Sequence, residues 1–404
     1  MTRKYLLLLI SGIFYTYLLQ WKVILFFALS IVIVAATKVR QNKRLAAFTG
    51  ILTLVMGFIC IRLMHASSTV LGYSVFAFTG ISYIADQYKS HKPYSIIDAL
   101  LYLFFFPKMM AGPIVRASEF IPQLSKEWRF SPNDLYSAFK LLVYALFIKL
   151  IIVDSLLNVS LYSHSGINLL CLTVVWGIKF YLDFYAYSLL AVGGALLFGI
   201  RLPLNFNCPY RAASFKDFWK RWNVTLSSWL KDYIYIPLGG NRCSKRRQFL
   251  NIMATFIVSA LWHGINLPFV IWGAIHGLAV GSEHFLGGIS HTLNSRFKYV
   301  YSSIIFMLII LLWQLFRLHD LESIAEYIHS LATLSATNAK DIYLMVISFI
   351  VLACIDSKWC SKLTLSTSTS FKLIFCEAAI FTVMGTLLLL FPIHYTIDFF
   401  YFKF

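Results

Sequence analysis

The segment that decides the fold is Leu250–Val280, LNIMATFIVSALWHGINLPFVIWGAIHGLAV. It is apolar almost throughout, and Gly264, Asn266 and Pro268 interrupt it with residues that end helices. A helix broken at membrane depth persists only where the freed backbone groups line a cavity or meet protein, never bare lipid. His263 stands just before the break, in Leu261-Trp262-His263-Gly264. Ionisable side chains inside apolar segments are costly in lipid, so His263 is the strongest candidate for chemistry in the chain.

The whole chain has the same character. Of its 404 residues 59% are hydrophobic and 13% charged, and the mean hydropathy is +0.73. An ordinary globular protein carries about 25% charged residues, so this surface suits lipid and excludes a soluble enzyme. Aromatic residues make up 17%, as lipid-facing and interfacial positions accept. The 35 basic residues outnumber 17 acidic ones, but they fall in short clusters between apolar stretches. That is the pattern of cytoplasmic loops, not of a nucleic-acid binder. The seven cysteines, Cys60, Cys171, Cys208, Cys243, Cys354, Cys360 and Cys376, show no C-x-x-C spacing, so neither a disulfide framework nor a metal site is expected.

Working outward, Tyr5–Thr37 holds one charge, Lys22, and is too long for a signal peptide; it is either a hairpin of two short helices or one tilted helix. Lys38, Arg40, Lys43 and Arg44 should face the cytoplasm, with spans near Leu45–Met64 and Val70–Tyr88 joined by a turn at Ala66–Thr69. Lys89 and Lys92 return the chain to the basic side. Ile96–Pro113, broken by two prolines and a glycine, reads as a re-entrant or interfacial element. Leu135–Val153 is a further span, and Ile167–Ile200 is long enough for two. Between Arg201 and Arg247 apolar positions such as Phe215, Phe218, Trp222 and Leu226 recur at helical spacing, which indicates an amphipathic segment. Later spans lie near Val300–Phe316, Ile342–Ile355 and Leu373–Pro392. The expected fold is all-α: a polytopic membrane protein of roughly ten to twelve crossings or half-crossings by the length criterion, forming one domain over residues 1–404.

Other deep polar groups have two readings each. His276, in WGAIHG, follows the break and alone suits a buried structural histidine; Asp183 and Lys149 suit an ion pair. The run Phe218-Trp219-Lys220-Arg221-Trp222-Asn223 interleaves indoles with cations and suits either an anionic ligand or an interfacial belt. No phosphate loop and no G-x-S-x-G elbow is present.

Four segments carry a resemblance: FFFPKMMAGPIVR (Phe104–Arg116), DFYAYSLLAVGGALLFGIRLPLNFNCPY (Asp183–Tyr210), SFKDFWKRWNVTLSSWLKDYIYIPLGGNR (Ser214–Arg242), and LWHG followed by WGAIHG. In content and order they resemble the membrane-bound O-acyltransferase family, in particular its bacterial alginate O-acetylation and D-alanyl-lipoteichoic-acid transfer branches. The resemblance covers residues 104–277. It implies a helical fold around a central tunnel in the cell (cytoplasmic) membrane. An acyl group would arrive on a cytoplasmic thioester, acyl-CoA or an acyl carrier protein, with no permanently bound cofactor. It would leave on a hydroxyl of an envelope or exported polysaccharide, through an extracytoplasmic partner acyltransferase. The family's invariant histidine maps onto His263. Where the polysaccharide branch commonly reads W-H, this chain has Trp222-Asn223, and more distant members carry Asn there. The resemblance therefore makes His263 and Asn223 the catalytic pair, with Asp183, Trp219, Arg221, Trp222, Arg242 and His276 as substrate-binding candidates.

The chemistry suits that pair: His263 takes the hydroxyl proton and Asn223 donates to the developing oxyanion. Arg221, with Lys216, Lys220 and Lys231, would grip donor phosphates. The motif PLGGNR (Pro237–Arg242) is nearer the alginate type, which favours acetyl over D-alanyl. A proton-coupled transporter and a catalytically silent scaffold are the competing readings, and thioester turnover that requires a hydroxyl acceptor separates them from an enzyme.

Overall fold

The computed structural model describes residues 2–19, 22–39, 41–63, 72–90, 94–109, 111–126, 131–161, 164–285, 297–318, 320–357 and 371–390. Arg40, the Ala66–Thr69 turn with the span ends Met64 and Val70, Lys92, Met110, Cys360 and Pro392 lie outside the described residues. The regular elements among the described residues are all helical. They fall into two compact units, Met1–Phe139 with Tyr187–Pro203 and Lys140–Ala186 with Leu204–Phe404.

In the first unit the opening apolar stretch forms two helices, Thr2–Leu19 and Val23–Lys38. Lys43–Leu63 and Tyr73–Lys89 follow. Their aromatic side chains interlock: the Phe26 and Phe76 ring centres are 4.9 Å apart, those of Tyr15 and Phe104 5.1 Å. Of the region Ile96–Pro113, Ile96–Phe104 is a short helix and Phe106–Lys108 a 3₁₀ turn, and the residues from Gly112 to Arg116 are in neither helix nor turn. Non-helical backbone needs partners when water is excluded. The Tyr102 hydroxyl supplies one, donating to the Val115 carbonyl at 2.8 Å. The Lys108 ammonium is buried and sits 4.1 Å from the centre of the Tyr102 ring.

Among the described residues four helices are long and apolar enough to cross a membrane: Lys43–Ile61, Pro132–Leu156, Gly166–Leu197 and Tyr299–Phe316. Shorter apolar helices are Ile24–Lys38 and Phe375–Leu390. Gly166–Leu197 is one continuous helix of 32 residues where its length allowed two. It contains no proline, so no backbone N–H is missing from its ladder. Asp183, in its middle, is buried with Lys149, whose Nζ lies 2.8 Å from it and 2.9 Å from Asp154. Removing one member of such a pair leaves an uncompensated buried charge.

In the second unit the Leu250–Val280 stretch is a hairpin of two helices, Lys245–His263 and Leu267–Phe285. Glycines set how closely they approach. A Cβ on Gly273 would lie 2.6 Å from the Ala260 Cβ and 2.8 Å from the Phe256 carbonyl oxygen, and one on Gly281 would lie 2.6 Å from the Phe249 ring. With Gly277 between them, these residues recur every fourth position and form the small-residue stripe that lets helix backbones pack where lipid offers no hydrophobic drive. Gly273→Leu is expected to cost at least 1–3 kcal/mol, about what overpacking a core costs. The check is thermal unfolding in detergent, and an unchanged midpoint would refute the close seam.

Candidate active site

The amphipathic segment folds as two short helices, Phe215–Trp219 and Val224–Leu230, followed by π-helical turns at Lys231–Tyr235. Ser214 caps the first, accepting from the Asp217 N–H at 3.0 Å. Glu283, on the Leu267–Phe285 helix, accepts from the backbone N–H groups of Phe215 and Lys216 at 2.8 and 2.9 Å. A carboxylate suits the free donors at a helix N-terminus. This one fixes the short helix against the hairpin.

From that anchor the segment climbs along the hairpin. Lys216 meets Glu283, and Trp219 meets His276, its indole Nε1 donating to His276 Nδ1 at 3.3 Å. Asn223 follows in left-handed backbone, φ 41° and ψ 55°. Two rungs hold it there: the Asn207 N–H donates to the Arg221 carbonyl and the Val224 N–H to the Asn205 carbonyl, both at 2.9 Å. The Thr225 hydroxyl adds a bond to Asn205 Oδ1 at 2.6 Å. Asparagine is among the few residues that tolerate this conformation. Asn223 is buried, yet its side chain does not cap the helix it precedes, so the amide remains available to a ligand.

His263 is the last residue of its helix, buried, with extended backbone at Gly264 directly after it. Its ring lies 4.8 Å from Phe316, 5.3 Å from Trp272 and 4.4 Å from Trp262, centre to centre. Trp222, next to Asn223, packs in a tilted arrangement 4.6 Å from Trp313, centre to centre, and Trp313 lies 5.1 Å from Phe316. One aromatic cluster thus joins the neighbourhood of Asn223 to the His263 ring. Trp313 and Phe316, which complete it, were missed by sequence reasoning, because each sits in an ordinary apolar run. Glu283 was missed too; a lone acid at the end of an apolar helix was its signal.

A cavity of about 460 Å³ runs between this hairpin and the amphipathic segment, and neither Asn223 nor His263 is among its lining residues. It follows the Lys245–His263 helix from Ile252 to Ser259, with Lys216, Lys220, Lys231 and His284 among its lining and Val224 reaching it next to Asn223. Ser259 is one turn before His263, so the two share a face of the helix.

The other candidates are placed as follows. Trp219 lines the cavity. His276 is fully buried behind Trp219 and packs against Trp272, 4.9 Å between ring centres; since its Nδ1 accepts, its proton is on Nε2. Trp222 is buried in the aromatic cluster. Asp183 is in its ion pair, and Arg242 is exposed in the turn that follows Gly239. Arg221 departs from the phosphate-gripping expectation: its Nε pairs with Asp217 at 2.9 Å, and it is not among the residues that line the cavity. The i,i+4 spacing of Asp217 and Arg221 explains the pairing. The lysines, not Arg221, form the cationic part of the wall. Among the described residues no group of three or more His, Cys, Asp or Glu could hold a metal ion.

Comparison with known proteins places these residues in a family. The model described as MBOAT, membrane-bound O-acyltransferase family, matches residues 48–318. The chain is similar to the peptidoglycan O-acetyltransferase of Helicobacter pylori, 33% identical over 251 residues, 60% of this chain and 48% of that protein. It is similar also to a probable alginate O-acetylase of Pseudomonas aeruginosa, 32% identical over 260 residues, 62% of this chain and 49% of the relative. A teichoic acid D-alanyltransferase of Bacillus subtilis is 28% identical over 263 residues, 59% of this chain and 64% of the relative. The chain spans about half the length of the first two curated relatives it matches.

Proposed function

We propose, from the premise that the chain belongs to the membrane-bound O-acyltransferase family, that it transfers an acetyl group from a thioester donor to hydroxyls of an envelope or exported polysaccharide. The observation that carries this reading is the cavity with lysines in its wall that is lined by Val224, which follows Asn223 in the chain, and by Ser259, one helical turn before His263. The donor, acyl-CoA or an acyl carrier protein, enters from the cytoplasm with its phosphates at Lys216, Lys220 and Lys231 and its thioester toward His263. His263 removes the proton of the acceptor hydroxyl as its oxygen attacks the thioester carbonyl carbon. The Asn223 amide donates to the resulting oxyanion, the C–S bond breaks, and the thiolate takes the proton back from His263. The thioester is already activated, so no acyl-enzyme is needed, and a membrane-embedded site keeps hydrolytic water away.

The finer features belong to the same proposal: ten to twelve crossings or half-crossings around a tunnel, the cell membrane as location, and an extracytoplasmic partner that finishes the transfer. Relatives named for acetyl transfer and for D-alanyl transfer both support acyl chemistry on envelope polymers, and D-alanyl transfer to teichoic acid is the second reading. The test is ester-linked acetate on isolated envelope polymers, with and without this protein. The purified chain should also consume acetyl-CoA only when a hydroxyl acceptor is present. Unchanged polymer acetate together with no acceptor-dependent turnover would overturn the reading.

Replacing Lys216, Lys220 and Lys231 together by Gln should raise the donor KM about tenfold and make it nearly independent of salt, since screened charge pairs carry the attraction. Arg221→Gln should leave donor KM within about twofold of wild type and lower thermal stability instead, by the up to about 1 kcal/mol of an exposed ion pair. Steady-state kinetics at two ionic strengths distinguishes them, and the opposite ranking would return Arg221 to the donor site.

A further inference from the structure

Hydroxyls on apolar helices usually turn back onto their own backbone. Here Ser30 donates to the Phe26 carbonyl at 2.8 Å, Thr79 to Val75 at 2.7 Å and Thr255 to Asn251 at 2.7 Å. Ser259 does not. Its hydroxyl has no hydrogen-bond partner among the described residues, although the residue is only 2% exposed and lines the cavity. Its oxygen is therefore not sealed inside the protein but open to the cavity, where a ligand can supply the hydrogen bond that the helix backbone does not.

Its position indicates which part of a ligand that is. Ser259 lies four residues before His263 on one helix, about 6 Å back along the axis toward Ile252. A thioester reacting at His263 places its sulfur nearby. In a donor built on cysteamine, two methylenes follow the sulfur and then an amide, whose nitrogen is roughly 4–5 Å from the sulfur by standard bond lengths. The Ser259 hydroxyl is therefore at the level of that amide rather than of the thioester carbonyl.

We propose that Ser259 is a positioning residue that hydrogen-bonds the amide nearest the sulfur of the donor arm, fixing how far the thioester travels toward His263. This rests on the acyltransferase reading. The hydroxyl acts through the donor and forms no covalent bond, so the transfer chemistry is unchanged.

The experiment uses the full chain in nanodiscs with two small donors, S-acetyl-N-acetylcysteamine, which retains the amide, and S-pentyl thioacetate, which lacks it. Acetyl-CoA serves as the reference. Wild type should prefer the amide donor in kcat/KM, and Ser259→Ala should reduce that preference about five- to tenfold, chiefly through KM, as loss of one hydrogen bond does. Ser259→Thr, which retains a hydroxyl, should keep most of it. With acetyl-CoA alone, Ser259→Ala should show the same rise in KM. If acetyl-CoA turns over normally and Ser259→Ala changes neither the preference nor that KM, the assignment is wrong. An acetylated Ser259 found by mass spectrometry, with kcat abolished in the Ala variant, would overturn it in favour of a covalent route. A wild-type protein inert toward all three donors would instead sink the acyltransferase reading itself, and this assignment with it.

Discussion

His263→Ala is expected to lower acetyl transfer by about 10²–10⁴-fold, the usual contribution of a positioned general base. The loss should come without loss of fold. His263 is the final residue of its helix and its ring lies at the edge of a cluster that Trp272, Trp313 and Phe316 continue to fill. Alanine is a good helix former at such a position, so the helix itself is kept, although truncating this buried ring leaves a cavity that costs some stability. His263→Gln is the companion variant: it keeps polarity and most of the volume but cannot act as a base near neutral pH. Both variants should be inactive and still unfold cooperatively in detergent, His263→Ala at a midpoint lowered by its cavity and His263→Gln nearer to wild type. Turnover within tenfold of wild type in either one would exclude His263 as the base.

Asn223→Ala is expected to cost about 10²–10³ in kcat with little change in donor KM, as loss of an oxyanion donor does. The backbone complicates that substitution, because residue 223 has φ 41° and alanine is strained there. Asn223→Gly separates the effects, since glycine adopts this conformation freely and also lacks the amide. If the amide matters, the glycine variant should be as slow as the alanine variant yet more stable. If glycine restores activity, Asn223 serves the shape of the loop and a different group holds the oxyanion. Asn223→His should retain appreciable activity if position 223 is the family's first catalytic site.

How much of this was legible beforehand varied with the physical signal. His263 stood out because an ionisable residue in an apolar stretch has few innocent reasons to be there, whereas Asn223 was reached only through the resemblance of its segment to the family. The helix break after His263 was visible in Gly264, Asn266 and Pro268. The opening stretch could not be resolved, because hydropathy alone does not distinguish one tilted helix from two short ones, and the structure has two. Gly166–Leu197 erred the other way, its length inviting a division that no proline supports. Arg221 was assigned to the donor from its type alone, although Asp217 one turn earlier already offered it a partner. Trp313 and Phe316 are contributed to the site by tertiary packing, and nothing in their immediate sequence says so, whereas Glu283 was signalled as a lone acid at the end of an apolar helix.

The glycine seam between Lys245–His263 and Leu267–Phe285 has a mechanical side. With Gly273, Gly277 and Gly281 against Ala260, Met253 and Phe249, the two backbones behave as one stiff rail, since no side chain there can grow without moving both. That rail is the fixed wall of the cavity. The facing wall includes the short helix Val224–Leu230, where the small side chains of Ser227 and Ser228 line the same space. Selection for a bulkier donor, or for escape from an inhibitor wedged in the cavity, is thereby steered onto Val224, Ser227, Ser228 and Leu230, the residues of that helix that line it, while the rail holds its gauge.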